Sequence, residues 1–133
     1  MAINALVSLG SAIDDQRALL MRLLPFEDQI VYNGFTTMGA VAHFLGLLAT
    51  TLERLDDAER YFDRALETHA RITARYFLAD TQLERGRLSV QRHTADGAAA
   101  QSLLEAALAT ARENAYGRIE RLASLALDES RSQ

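Results

Sequence analysis

The chain has 133 residues, 49% of them hydrophobic and 24% charged, and a formal net charge of −4. It contains no cysteine, which excludes disulfides, thiolate metal sites and cysteine nucleophiles. All 14 basic residues are arginine, which excludes a Schiff-base or phosphate-loop lysine. The arginines are interleaved with carboxylates rather than gathered in the basic patch that phosphate neutralisation needs, so direct nucleic-acid binding is not expected. No apolar run approaches the ~20 residues of a membrane span. Met1-Ala2-Ile3-Asn4 places no basic segment ahead of an apolar one, so no signal peptide is read there. The expectation is a cytoplasmic protein with no membrane segment.

Alanine and leucine dominate, glycine is sparse and Pro25 is the single proline, so long stretches consist of the best helix formers without a breaker. The fold class read from this is all-α, with six or seven helices over residues 2–12, 14–24, 37–53, 56–71, 74–91, 98–114 and 117–128. Pro25 closes the second of these, because the residue before a proline avoids the helical region. The connection Phe26–Met38 has no clear helical period and carries Phe26, Ile30, Val31, Tyr32 and Phe35, with a turn signal at Asn33-Gly34. Those apolar residues either tuck under the helices, the favoured reading, or form an exposed adhesive surface. Asp56 and Asp96 are N-cap candidates, His93–Gly97 reads as a loop, and Gly117 stands where one helix hands over to the next. The polar tail from Asp128 is read as frayed.

The chain repeats. Leu19, Leu20, Leu23 and Leu24 recur at a fixed offset as Tyr61, Phe62, Ala65 and Leu66, and at the same offset again as Leu103, Leu104, Ala107 and Leu108. Spacings of three and four place each set on one helical face. Three copies of one packing helix follow, within units of roughly 2–36, 37–72 and 73–116, and a terminal capping helix at 117–128. The whole reads as one domain, 1–133.

Leu45-Gly46, Ala58, Phe62 and Ala65 fill consecutive positions of a tetratricopeptide repeat, so the stretch Gly39–Arg71 resembles one such unit. Gly46 and Ala58 let the two helices approach, and Phe62 fills the space between repeats. Ala42 and Ala49 stand where that family has aromatics, and Ala70 where it often has proline. The usual period of the family, about 34 residues, is shorter than the offset in this chain. The additional residues fall in the 26–38 connection for the first interval and in a lengthened first helix for the second. Over most of the chain, Val41–Ala49, Leu55–Ala58 and Ala98–Arg112 resemble the C-terminal helical-repeat region of bacterial LuxR-type and adenylate-cyclase-like ATP-binding regulators. The resemblance implies antiparallel helical hairpins stacked as a short right-handed superhelix, with first helices lining a groove. Groove residues on this analogy are His43, Leu47 and Thr50, then Phe77, Thr81 and Glu84. The implied function is protein–protein interaction, as the sensory or coupling region of a regulator, with self-association into a dimer through an end helix. The alternative is a sensor of an apolar small molecule held in that groove.

No catalytic constellation is visible, and no cofactor or metal is expected. His43, His69 and His93 form no local ligand pair, and His69 and His93 are read as solvent-exposed. Glu59, Asp63 and Glu67 run beside Arg60 and Arg64 as a solvated face, with Arg71 four residues beyond Glu67. Asp14-Asp15 and Asp56-Asp57 suit helix starts better than paired catalytic acids.

Overall fold

The computed structural model describes residues 13–32, 37–92 and 97–132. The expected helix at 2–12, the Asn33-Gly34 turn, Phe35, His93 and Asp96 lie outside them. Among the described residues the chain forms six α-helices and one small sheet, and it is all-α in class. The chain divides into two compact units, Met1–His69 and Ala70–Gln133, close to the end of the second expected repeat.

In the first unit, α1 spans Ile13–Leu23, with Asp14 and Asp15 in its first turn where the helix dipole favours them. Pro25 ends it and opens a single 3-10 turn, Leu24–Phe26. Strands β1 (Ile30–Tyr32) and β2 (Thr37–Ala40) then pair antiparallel. The helix expected from residue 37 therefore begins later, as α2, Val41–Thr51. The reason lies in β2. Val31 pairs with Gly39 and Tyr32 with Thr37, so Met38 is an additional residue on that strand. Gly39 has φ 95°, a conformation that glycine alone adopts without a Cβ penalty. A helix cannot pass through it.

α2 is buried on almost every side, from Val41 to Ala49 with Leu47 half-buried, which explains a segment made of small and apolar residues. α3, Leu55–Arg71, is one-sided and buries Ala58, Tyr61, Phe62, Ala65, Thr68 and His69. Its start at Leu55 places Asp56 and Asp57 in the first turn, with Asp56 two positions past the N-cap. A Cβ on Gly46 would stand 2.5 Å from the Phe62 ring, so α2 and α3 touch where only a hydrogen can fit.

The second unit holds α4 (Arg75–Arg92), α5 (Gly97–Asn114) and α6 (Gly117–Arg131). Its core combines Leu83, Leu104, Ile119 and Leu127 with Ala79, Ala100, Ala107, Ala111 and Ala123. The leucines supply the burial energy, about 2–3 kcal/mol each, and the alanines let the helices close on them. Gly86 repeats the device of Gly46, since a Cβ there would lie 2.7 Å from Leu104 Cγ. The first helix of this unit is lengthened as expected, with 18 residues against 11 in α2.

The fixed-offset correspondence reads out as burial, with Leu20, Phe62 and Leu104 each exposed by 1% or less. The links recur too. Glu53, Thr73 and Ala115 all have positive φ, between 55° and 60°, just after α2, α3 and α5. Arg54 donates its amide to Ala49 O and Tyr116 to Ala111 O, the six-to-one bonds of a left-handed helix cap. Ala115, not Gly117, makes the handover to the last helix. Gly117 is already the first residue of α6, which runs to Arg131 and so takes in most of the tail expected to fray. Among the described residues no helix is long and apolar enough to cross a membrane.

Candidate functional site

The six groove residues form two helical stripes, one in each unit. His43, Leu47 and Thr50 share a face of α2 at spacings of four and three, and Phe77, Thr81 and Glu84 repeat that spacing on α4. His43 and Thr81 are buried, and the other four are half-buried. Thr50 turns its hydroxyl back onto its own helix, donating to Gly46 O at 2.8 Å. His43 thus belongs to the interior of its unit rather than to an open wall.

Around it the first unit assembles a buried aromatic cluster. The His43 ring lies 5.6 Å from Phe44, 5.9 Å from Phe62 and 6.4 Å from His69, centroid to centroid. His69, expected at the surface, is 1% exposed. It follows Phe62 and Ala65 at spacings of seven and four, which puts it on the buried face of α3. Its Nε2 accepts the Ala40 backbone N–H at 2.9 Å, tying α3 to the end of β2. Asp28, just before β1, meets Arg64 of α3 at 3.0 Å. Arg60 pairs with Asp57 at 3.2 Å, so part of the expected charged stripe is spent on holding local structure.

The second unit carries an ionised and aromatic surface cluster. Arg118 of α6 donates to Asp80 of α4 at 2.6 Å, and Arg87 to Glu84 at 3.2 Å. Tyr76 packs edge-on against Phe77 at 5.4 Å and Tyr116 at 4.9 Å. Burial pushes the Glu84 carboxyl above its ordinary value of 4.5; Arg87 draws it back, Asp80 raises it further and Arg118 lowers it. Burial works against the Arg118 charge, but Asp80 and Tyr76 outweigh it and hold the guanidinium above its ordinary range. The cluster is a set of matched ion pairs beside an exposed tyrosine. Among the described residues no group of three or more His, Cys, Asp or Glu side chains is placed to hold a metal ion.

Among the described side chains of the 26–38 connection, the expected tucking is only partial. Phe26 is 47% exposed and Ile30 38%, and Met21 on the preceding helix is 60% exposed, while Val31 is half-buried. Sequence reasoning singled out Phe77 and Glu84 in the second unit but passed over Asp80 and Arg118. The Arg118–Asp80 pair spans 38 residues, a separation no helical spacing announces. Comparison with known proteins finds no matching family, no matching curated protein and no matching solved structure.

Proposed function

We propose that the chain is a protein–protein interaction module, acting in the cytoplasm as the coupling region of a bacterial signalling or transcriptional regulator. The observation that carries the interaction reading is the exposure of Met21, Phe26 and Ile30 on three consecutive elements, α1, the 3-10 turn and β1. Large apolar side chains left in water so close together in a chain mark surfaces that other proteins cover. The resemblance to helical-repeat regions of LuxR-type regulators supplies the rest of the reading. With His43 and Thr81 buried, a groove for an apolar small molecule has less surface to work with, and the interaction reading is the one kept.

Site-specific photo-crosslinking tests it. A photoreactive residue at Phe26 is expected to trap a discrete partner in cells, and the same residue at exposed Glu67 is not. The adduct should disappear in Met21→Ser/Ile30→Ser. No adduct at either position, or the same adducts at both, refutes the proposal. Self-association forms a second part of it, through Leu125, which is 58% exposed on the last helix. Light scattering coupled to gel filtration should show a dimer that Leu125→Glu converts to monomer, and a wild-type monomer at high concentration removes that part.

A further inference from the structure

The backbone N–H of Ala40 ends on a histidine ring. Because His69 Nε2 accepts that hydrogen, Nε2 carries its lone pair, the ring proton sits on Nδ1 and the imidazole is neutral. Ala40 is a junction: it is the last residue of β2, it pairs with Ile30 of β1, and it immediately precedes α2. The next amide, Val41 N–H, donates to Gln29 O at 2.9 Å. The base of the ribbon is therefore held by one bond to a peptide carbonyl and one to a titratable ring.

We propose that His69 is an acid-sensitive latch on the β1–β2 ribbon. Protonation at Nε2 replaces the acceptor by a donor that faces the Ala40 N–H, so the bond is lost and a charge appears in a site sealed from water. α2 presents His43, itself buried, with its ring 6.4 Å away, and the positive end of the α2 dipole lies beside Ala40. By sequence β2 has no titratable side chain in Thr37–Ala40, and β1 has only Tyr32. On α3 itself Tyr61 is buried, while Asp63, Arg64 and Glu67 are exposed, with Arg64 paired to Asp28. Glu27 is half-buried before β1, and Asp14, Asp15, Arg17 and Arg22 of α1 all face water. Acid thus frees Ala40 from α3, loosening the ribbon and the start of α2 while α4–α6 keep their own core.

Amide hydrogen exchange on the intact chain tests the latch, at about pH 7.5 and about pH 5, either side of the ordinary histidine value of ~6.5. Corrected for intrinsic rates, protection at Gly39–Val41 should fall about tenfold or more in acid, with α6 protection unchanged. Long-range nitrogen spectra of the neutral protein should show His69 Nε2 without a proton. His69→Gln keeps an acceptor near the same position without the titration, so its protection should be flat between the two conditions. Equal wild-type protection at both pH values overturns the proposal. So does a parallel fall in α6, a protonated Nε2 at neutral pH, or an acid response in His69→Gln that matches the wild type. Should His69→Gln not fold, the wild-type exchange and the nitrogen spectra decide alone.

Discussion

Replacing Gly46 by alanine probes the closest contact in the first unit. The new Cβ would lie 2.5 Å from two Phe62 ring carbons and 2.8 Å from a third. Carbon atoms prefer about 3.5–4.0 Å, so ring or helix must yield by roughly 1 Å. Phe62 has nowhere to swing, being 1% exposed and bordered by His43. Overpacking of this kind costs about 1–3 kcal/mol, and a rigid ring belongs at the upper end. Alanine returns about 1 kcal/mol in helix propensity, leaving a net loss of about 2 kcal/mol. For a chain of this size that is a fall in Tm of roughly 6–10 °C. Urea titrations followed by circular dichroism at the helix band measure it, with Gly117→Ala as control, since no heavy atom lies within 4 Å of a Cβ placed there. The control should be neutral or stabilising by about 0.5 kcal/mol. In a Phe62→Leu background the Gly46→Ala loss should shrink by about 1 kcal/mol or more. If Gly46→Ala is as stable as wild type, or loses as much in both backgrounds, the close approach does not exist as described.

Three further outcomes follow from the second unit and its links. Folding holds the Glu84 proton more tightly than the unfolded chain does, so its contribution is complete below pH 4.5 and drains away as pH rises through the raised folded value. Glu84→Gln should therefore flatten the stability profile just above pH 4.5 and be no less stable than wild type near neutrality, which thermal melts across pH will show. Arg118→Met should cost about 1 kcal/mol in denaturant titrations, a modest figure because the arginine is 44% exposed and its bond to Asp80 is partly screened. Ala115→Gly should stabilise by about 0.5–1 kcal/mol, since a left-handed residue with a Cβ is strained by about 1–2 kcal/mol and glycine gives back part of that in chain entropy.

The sequence made the packing faces readable because periodicity survives in them. Leu20, Phe62 and Leu104 share an offset and share burial, and Gly46 is legible as a point of close helix approach, although the side chain it meets is Phe62, expected instead between repeats. Gly86 was harder: it performs the task of Gly46 against Leu104, yet it falls short of the common offset, so an alignment by offset misses it. The β1–β2 ribbon was invisible to helical reasoning, because it hinges on one glycine dihedral and one additional residue. His69 is buried where a surface histidine is expected. Its spacing from Ala65 and Phe62 carried the opposite signal. The Arg118–Asp80 pair depends on tertiary approach, which no local pattern encodes.

Thr73 and Ala115 stand apart by the same offset that relates Phe62 to Leu104. Each follows the helix that carries one of those buried residues, and they share a backbone conformation while differing in side chain. Neither is the glycine that would adopt it most easily. The corner is set by the geometry of a left-handed helix cap and not by the residue that occupies it, and Glu53 after α2 shows the same. Any relative of this protein is then better sought by aligning its corners than by aligning its letters.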